Sequence, residues 1–472
     1  MKKHEKKPKN LLVRVGINYM KKIFKIKLRP KPHIKEVLFN LDAYEVFSRI
    51  ESRFENCFLF ESLTEGNQSR YTILGFEPDY IVRANGKKLT IDDETFQVQN
   101  PYEALRTLIP QDILSRNFAG GLVGYMSYES AEYFEPNLTL KHSTLFDQFC
   151  FGLYTDGFVF DNVTGEIHYF YYKKSRLSTI KKIVNSGTRP KKSARVDFAG
   201  HTATEEEHAK IVSLIQKEIA VGNTFQCQAG IRASYQISGS PLAIYEELRS
   251  KSPAPFMYYL KFGKKVLLGA SPELLFEIIN GEMKTCPLAG TIRRGETAEN
   301  DRILARKLIN DKKELAEHLM LVDLHRNDIG KVARFGSVKV HRLLDIKKFS
   351  HVQHLGSEIT GLVALGHDMF SALGASFPAG TLTGTPKVES MKIIDRNEKS
   401  GRGPYGGAVG FFGFNGNCTF TIAIRSLFVS GKNLYAQASG GIVYDSSAKN
   451  EYEEIMNKLA GVDSVLKKFT KI

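Results

Sequence analysis

The sequence predicts an α+β fold, because strands and helices are mixed along the chain without the regular βαβ rhythm of a doubly wound sheet. Three apolar runs between Gly406 and Val443, separated by turns that contain glycine, predict an antiparallel meander. A helix is expected to follow it, from about Lys449 to Phe469. Another helix is predicted from Thr204 to Gly222, since a capping box opens it and a glycine closes it.

The chain is predicted to divide into four segments. A polar, basic stretch without apolar periodicity separates a β-rich first half from a second half that opens with the capped helix. The boundaries give a basic, disordered tail at 1–34, a first half at 35–185, a linker at 186–200 and a second half at 201–472.

The formal charge of +15 is concentrated at the N-terminus. Residues 1–32 contain twelve Lys or Arg residues and one acid, which leaves a net charge of only +4 for the rest of the chain. The globular body therefore lacks the basic excess that phosphate backbones require, and we expect no nucleic-acid partner. The tail alone could contact RNA or anionic lipid, or be a solvated extension.

The sequence contains no apolar run of 18 residues and no secretory signal, so we expect a cytoplasmic protein without a membrane partner. Its five cysteines are scattered and form no C-x-x-C pair. Neither a disulfide framework nor a zinc site is predicted.

Two predicted helices carry acids three residues apart, which places each pair on one helix face. The pairs are Glu314 with Glu317, and Glu451 with Glu454, and Lys458 shares the face of the second pair. Each pair alone could be a solvated helix face. If the two helices face each other, their oxygen ligands suit Mg²⁺, which takes one or two protein carboxylates together with substrate and water.

Other polar groups stand out in loops and strands. The glycine-rich runs 286–291 (CPLAGT) and 377–387 (FPAGTLTGTPK) could be ordinary turns or could bring backbone N–H groups to an anion. His354 could be a core histidine. Arg425 is expected inside an apolar central strand, TFTIAIRS, where it needs an anionic partner.

Six of these segments, taken in order, resemble the motifs of the chorismate-utilising enzyme family over the chain from about Phe58 to the C-terminal helix. They are ELAEHLMLVDLHRNDIG, FSHVQHL, FPAGTLTGTPK, GPYGGAVGFFG, TIAIRS and the acidic pattern from Asp445 to Lys458. The resemblance implies an enzyme with a large α/β sandwich of mostly antiparallel sheets. It implies that the second half is catalytic and the first half regulatory or structural.

The resemblance also implies roles for individual residues. Glu317 and Glu454 correspond to the principal Mg²⁺ ligands, with Glu314 and Glu451 assisting. His354 and Thr381 correspond to residues beside the reacting ring. The groups expected to hold the substrate, chorismate, are Gly290, Thr291, Tyr405, Arg425, Ser439, Gly440, Gly441 and Lys458. Ser439 replaces a glycine of many relatives, where the role lies mainly in the backbone.

Within the family the chain most resembles the large subunits of anthranilate synthases. Gln226 stands where relatives that use water carry a lysine base, and glutamine cannot deprotonate water, so amination with ammonia is favoured. Ala289 in PLAGT favours anthranilate, with pyruvate elimination, over aminodeoxychorismate; a component of aminodeoxychorismate synthase remains the alternative.

The same resemblance implies an inhibitor site and a partner. FLFES resembles an element that binds tryptophan as feedback inhibitor, so that Ser62 would line a pocket with Pro255, Phe256 and Met257. They could instead be core residues. The sequence lacks a glutaminase module, and a separate glutamine amidotransferase subunit is expected to deliver the ammonia in a hetero-oligomer.

Overall fold

The computed structural model describes residues 28–64, 70–186, 192–348 and 352–470. Most of the predicted tail, residues 1–27, lies outside the described ranges, and its last two residues already belong to the first strand. No helix in the described ranges is long and apolar enough to cross a bilayer.

The described ranges contain ten α-helices and twenty-four strands. The helices are α1 (Ala43–Glu51), α2 (Pro101–Arg106), α3 (Leu177–Asn185), α4 (Glu205–Ala220), α5 (Pro241–Lys251), α6 (Ala298–Asn310), α7 (Lys312–Gly330), α8 (Met369–Ser376), α9 (Lys387–Asn397) and α10 (Ala448–Leu466). The strands are β1 (His33–Glu36), β2 (Asn56–Glu61), β3 (Tyr71–Phe76), β4 (Tyr80–Asn85), β5 (Lys88–Ile91), β6 (Glu94–Gln97), β7 (Gly121–Met126), β8 (Phe149–Tyr154), β9 (Asp156–Asp161), β10 (Ile167–Tyr171), β11 (Ala194–His201), β12 (Gln226–Gly239), β13 (Phe256–Phe262), β14 (Lys265–Ser271), β15 (Leu274–Ile279), β16 (Glu282–Thr285), β17 (Leu288–Arg293), β18 (Lys339–Lys348), β19 (Val352–Leu362), β20 (Gly384–Thr385), β21 (Ala408–Gly413), β22 (Cys418–Ile422), β23 (Ser426–Ser430) and β24 (Asn433–Ile442).

The strands form two 12-stranded sheets. Sheet I has the order β1-β10-β9-β3-β2-β13-β14-β23-β24-β12-β11, with β20 paired to β12, and sheet II has the order β17-β19-β16-β15-β22-β21-β7-β8-β4-β5-β6, with β18 paired to β19. The neighbouring strands run antiparallel. The predicted α+β class with antiparallel sheets is confirmed.

Sheet I is buried on both faces, which explains why β2 reads as a continuous apolar run. Phe58 points into a core shared with sheet II, whereas its neighbours Cys57 and Leu59 join a second core. Helices α1, α5 and α10 cover that second face with apolar side chains such as Phe47 and Ile455. The sandwich therefore has a central layer of side chains between two sheets and an outer helical layer.

Both sheets combine strands from both predicted halves. In sheet I, β2 pairs with β13, and in sheet II, β7 pairs with β21. The predicted linker at 186–200 contains most of β11, which forms an edge of sheet I. Its apolar pattern is weak because an edge strand buries little, here chiefly Val196. Residues 194–200 of the predicted linker are therefore part of the fold and not a free connection.

The predicted helices near residues 204 and 449 are present. Thr204 and Glu207 form the capping box of α4, and the helix ends at Ala220. Helix α10 lies from Ala448 to Leu466, and its buried stripe includes Ile455 and Leu459.

The prediction that Arg425 lies inside a strand is wrong. The run TFTIAIRSLFV divides into β22 of sheet II and β23 of sheet I, and Arg425 lies in the crossing between them. Its φ of 52° is in the left-handed region, which is uncommon for a residue other than glycine. The crossing carries the chain from one sheet to the other and turns Arg425 out of both ladders.

Candidate active site

The acids of α7 and α10 form one electrostatic cluster. Burial raises the pKa of Glu317, and the charges of Glu454 and Glu451 raise it further. Burial also raises the pKa of Glu451, with Glu454 adding to the shift and a hydrogen bond from Ser446 opposing it. The two helices thus bring three of the four predicted carboxylates close enough to repel one another.

Glu314 has a different neighbour. A Cβ atom added to Gly290 would lie 3.1 Å from Glu314 Oε2, so this carboxylate is in contact with the backbone turn at Gly290. Asp311 caps α7 and accepts hydrogen bonds from the N–H groups of Lys313 and Glu314, which fixes the first turn of the helix.

These carboxylates fit a metal ion whose coordination shell is completed by the substrate and water. Within the described residues no group of three or more His, Cys, Asp or Glu side chains could hold a metal ion by itself. Glu451 Oε1 accepts a hydrogen bond from Ser446 over 2.7 Å, whereas Glu451 Oε2 is buried and has no hydrogen-bond partner among the described residues. One or two such carboxylate oxygens are what Mg²⁺ takes from a protein when substrate and water complete its shell.

Two cations lie beside this cluster. Lys458 Nζ donates to Glu454 Oε1 over 2.6 Å and to the Ser439 carbonyl over 2.8 Å. Arg425 Nη1 donates to the Lys458 carbonyl over 3.1 Å and keeps an exposed surface. Desolvation of the guanidinium by neighbouring residues lowers the pKa of Arg425, and the charges of Tyr405 and Glu454 oppose that shift. The arrangement presents positive charge next to the carboxylates.

The backbone of strand β24 lies between the carboxylates and these two cations. Gly440 lies under the Glu451 carboxylate, where an added Cβ atom would be 2.9 Å from Oε2. An added Cβ atom on Gly441 would be 2.7 Å from the amide nitrogen of Gln226 and 3.0 Å from that of Gln228. Both glycines are therefore needed for close approach of side chains to the strand.

His354 is held by the neighbouring strand. It is paired with Thr291 across β19 and β17, next to a bulge at Gly290, whose φ is 67°. His354 Nδ1 donates to the Gly290 carbonyl over 3.0 Å, which leaves Nε2 as the basic nitrogen of the neutral ring. Burial lowers the pKa of His354, the hydrogen bond to the Gly290 carbonyl opposes that shift, and the charges of Arg425 and Lys458 add to it, so the ring is neutral at pH 7.

Thr381 lies in a short 3₁₀ helix at 380–382 and contacts a carboxylate that the sequence analysis missed. Thr381 Oγ1 donates to Glu273 Oε1 over 3.1 Å. Burial raises the pKa of Glu273 to about 7, opposed by the Thr381 hydrogen bond and the charge of Lys458. A carboxyl group with such a pKa can hold a proton near neutral pH and give it up.

Sequence patterns could have revealed part of what was missed. Glu273 is a lone acid between Pro272 and apolar Leu274, and its burial depends on tertiary packing. Gln228 lies two residues after Gln226 in β12, with the apolar Cys227 between them and Ala229 after them, and that alternation indicates two amides on one face of the strand.

Among the predicted inhibitor residues, Ser62 directly follows β2. Ser62 lines a cavity of about 320 Å³ that Glu61, Arg70 and Arg249 also line. Ser62 Oγ is shielded from solvent without a hydrogen-bond partner in the described ranges.

Pro255, Phe256 and Met257 do not line that cavity. They lie one strand away, because Met257 pairs with Glu61 and Leu63 N donates to the Ala254 carbonyl over 3.1 Å. Their assignment to an inhibitor site stays a prediction.

Two antiparallel sheets with a cluster of carboxylates and cations beside helices α7 and α10 are typical of an α+β enzyme for an anionic small molecule. Residues 55–463 match the model of the chorismate binding enzyme family. The chain belongs to that family and is an enzyme that acts on chorismate.

Its relatives include two proteins named anthranilate synthase component 1. The one from Leptospira biflexa is 48% identical over 94% of this chain and 97% of its own length, and the one from Methanothermobacter marburgensis is 41% identical over 94% and 96%. The crystal structure of anthranilate synthase component I from Streptococcus pneumoniae is 30% identical, with a TM-score of 0.76 over 85% of this chain and 94% of that one. The menaquinone-specific isochorismate synthase of Escherichia coli, 17% identical, shares the fold with a TM-score of 0.72 over 96% of this chain and 99% of that one.

Proposed function

We propose that this chain is the chorismate-converting component of an anthranilate synthase, which aminates chorismate with ammonia and then eliminates pyruvate. The observation that carries the proposal is the convergence of Glu317, Glu451 and Glu454 with the cations Arg425 and Lys458. Chorismate is a dianion, and a site of this kind can hold one of its carboxylates by cations and the other through a shared Mg²⁺. The names of the relatives support the same product.

Substrate binding depends on fixed donors. Arg425 offers a planar fork to a carboxylate, and Lys458 offers a compact charge that Ser439 O and Glu454 already hold in place. The buried Tyr405 keeps its proton because burial raises its pKa to about 12, and it donates that proton to Ser439 Oγ over 2.9 Å. Holding the ring in one orientation lowers the entropic part of the barrier.

Amination needs a nucleophile that is already competent. Gln226 is buried on β12 with its amide directed at Gly441 and has no basic group to deprotonate water. Ammonia needs no such base. Its nitrogen bonds to C2 of the ring, the ring double bonds shift, and the bond between C4 and its hydroxyl breaks.

The departing hydroxyl needs a proton to leave as water. Glu273, with a pKa near 7 and a hydrogen bond from Thr381, is the group that we assign to this transfer. In the second step a base removes the C2 proton while the bond between ring C3 and the enolpyruvyl oxygen breaks, which forms the aromatic ring of anthranilate and releases enolpyruvate. A proton added to the methylene carbon of enolpyruvate gives pyruvate. Neutral His354, with Nε2 basic, is the candidate base. Bound Mg²⁺ would draw off negative charge that develops through the ring carboxylate.

A separate glutamine amidotransferase subunit is proposed to deliver the ammonia. Four of the five cysteines are buried, and burial raises the pKa of the fifth, Cys286, to about 11. A glutaminase nucleophile requires a thiol with a lowered pKa, so none of these cysteines suits that reaction.

Tryptophan is proposed as an inhibitor at the cavity beside Ser62. Its volume of about 320 Å³ lies at the lower end of the range of about 300–1,000 Å³ for small-molecule sites. Ser62 Oγ lacks a partner among the described residues, and Arg70, which is paired with Asp161 over 2.6 Å, also lines the cavity.

The test is to incubate the purified full-length chain with chorismate, Mg²⁺ and ammonium, with and without tryptophan, and to identify the products by chromatography. Anthranilate and pyruvate in equal amounts, with turnover reduced by tryptophan, support the proposal. Aminodeoxychorismate without pyruvate would assign the chain to the alternative synthase. Isochorismate would mean that water is the nucleophile and would contradict the role given to Gln226.

A further inference from the structure

Helix α7 is joined by a largely buried ion pair to the segment 377–387, which we call the threonine loop. Lys387 Nζ donates to Asp328 Oδ2 over 3.0 Å, and the two side chains are 15% and 8% exposed. Lys331 Nζ donates to the other oxygen, Asp328 Oδ1, over 2.9 Å, but Lys331 directly follows α7 and its side chain is 51% exposed. Of these two lysines, only Lys387 therefore links the helix to the loop.

Both members of the pair lie at the unfavourable end of their own helix. Lys387 is the first residue of α9, where the helix dipole is positive, and Asp328 is in the last turn of α7, where the dipole is negative. Burial lowers the pKa of Lys387, and the charge of Asp328 opposes that shift. Because apolar side chains often stabilise a fold as well as a buried ion pair does, stability alone does not explain this pair.

The face of α7 that carries Glu317 also contacts the loop. Leu324 follows Glu317 by seven residues and Asp328 follows it by eleven, which are about two and three helical turns. A Cβ atom added to Gly380 would collide with Leu324 Cδ2, so the helix and the loop pack closely there. One stripe of α7 thus contacts the loop at two points, one on either side of Thr381.

A second set of contacts attaches the loop to strand β12. Gly384 pairs with Cys227, and Gln228 N donates to the Thr383 carbonyl over 2.9 Å. These contacts do not involve α7, so they remain when the ion pair is removed. Loss of the ion pair is therefore expected to displace Thr381 without unfolding the loop.

We propose that Asp328 and Lys387 are positioning residues that hold Thr381 at a fixed place relative to α7. Thr381 Oγ1 donates to Glu273 Oε1 over 3.1 Å, and the position of the loop decides whether the hydroxyl group reaches this carboxylate. The inference rests on the proposed function, because Glu273 is there the group that protonates the leaving hydroxyl.

The pH dependence of kcat reports on this position. Burial raises the pKa of Glu273, whereas the hydrogen bond from Thr381 and the charge of Lys458 lower it. If Thr381 moves away, the pKa of Glu273 rises, and the pH midpoint at which kcat declines moves upward with it. A pair that only stabilised the fold would change the amount of folded enzyme and leave this midpoint where it is.

The experiment compares K387M with K331M in the full-length chain, using pH profiles of kcat with chorismate, Mg²⁺ and ammonium. Each substitution removes one lysine from Asp328, but only K387M breaks the link to the loop. K387M is expected to lower the plateau value of kcat at least about fivefold and to raise the pH midpoint by roughly 0.5–1 unit. K331M is expected to keep the wild-type profile. A midpoint that is unchanged in K387M, or that moves equally in K331M, would overturn the proposal.

A double variant separates the position of the loop from the cost of a buried charge that has lost its partner. K387M is expected to lower the thermal midpoint, because Asp328 keeps only an exposed partner. D328N/K387M removes both charges and is expected to recover much of the thermal midpoint while its pH midpoint stays raised. Recovery of both quantities would mean that the pair acts on folding alone and would contradict the inference.

A second background tests whether the ion pair acts through Thr381. T381V removes the hydroxyl group, so it should raise the pH midpoint by itself, and K387M should then add no further shift. Additive shifts would assign the effect of Lys387 to another route. A wild-type chain that forms no anthranilate would reject the proposed function as well, whereas wild-type turnover with additive shifts would reject only this inference.

Discussion

Glu273 combines burial with a hydrogen bond from Thr381, and these two features set the pKa of its carboxyl group. Its pKa of about 7 lies above the usual value of a glutamate, so the group is protonated below neutral pH and loses its proton as pH rises. If it protonates the leaving hydroxyl, wild-type kcat falls above about pH 7. Hydrogen bonding from Thr381 survives replacement by glutamine, but proton donation does not.

E273Q is therefore expected to lower kcat by about 10²- to 10⁴-fold and to abolish the decline above pH 7. The measurement is the pH profile of kcat for both proteins. E282Q serves as control, because Glu282 on β16 is exposed. A decline near pH 7 that persists in E273Q would assign that ionisation to another group.

The same shift has a consequence for stability, with a definite sign. The folded-state pKa of Glu273 is raised, so the folded chain binds the proton more tightly than the unfolded chain, and stability decreases as pH rises from about 4.5 to about 7. E273Q removes this contribution. The free energy of unfolding of E273Q should therefore fall less over that range than that of wild type.

The geometry of the Arg425 side chain can be tested separately from its charge. R425K keeps a positive charge but loses the planar fork, and we expect the Michaelis constant for chorismate to rise at least about tenfold. Steady-state kinetics with chorismate as the varied substrate measure this. The matched control is R302K on α6, where Arg302 has an exposed side chain. Unchanged kinetics in R425K would mean that Arg425 does not bind a carboxylate bidentately.

At the scale of elements, α7 and α10 hold like charges against each other. The pKa of Glu317 is raised by burial and by Glu454, so its ionised form destabilises the chain at neutral pH in the absence of a cation. E317Q is expected to raise the metal-free thermal midpoint by about 1–3 °C. Added Mg²⁺ should raise the midpoint of wild type and have less effect on E317Q.

Calorimetric scans with and without Mg²⁺ make this measurement without relying on turnover. E453Q is the matched control, because Glu453 lies on the opposing helix α10 with an exposed side chain. If Mg²⁺ shifts wild type and E317Q equally, Glu317 is not one of its ligands.

Elements with local determinants could be predicted from the sequence, and elements set by distant contacts could not. Helix α4 follows from its capping box and α10 from a 3.6-residue apolar period, so Glu451 and Lys458 could be assigned to one face. The crossing at Arg425 has no glycine or proline to mark it. Arg425 has a left-handed backbone conformation because the chain passes there from one sheet to the other. A short segment of sequence carries no information about that crossing.

The site shows the same division. Family motifs identified residues that the structure places near one another, such as His354, Arg425 and Lys458. Glu273 was not predicted because its raised pKa comes from burial by strands elsewhere in the chain. Gln228 was not predicted because the role of a polar residue in a strand depends on its neighbours on the adjacent strand. For Gln228 that neighbour is Ser439 on β24.

At the scale of the whole molecule, the basic N-terminus can be tested separately from the globular body. Leu28 packs against the core, and the Pro30 carbonyl accepts a hydrogen bond from Leu114 N over 2.9 Å. Deleting residues 1–27 leaves these contacts and is expected to preserve kcat, the Michaelis constant and the thermal midpoint. Deleting residues 1–36 also removes β1 and exposes the edge of β10, so it should lower the midpoint. Loss of turnover on the shorter deletion would mean that the tail takes part in catalysis.

The interleaving of the two sheets also has a consequence for how the chain is made. Strand β7 meets its partner β21 only after about 290 further residues, since Leu122 lies opposite Phe412. On the ribosome, where N-terminal segments emerge first, the first half must wait for late strands before either sheet can close. Its apolar strands are exposed to chaperones throughout that interval. Separately expressed halves should consequently be poorly soluble, while their co-expression should recover assembled protein.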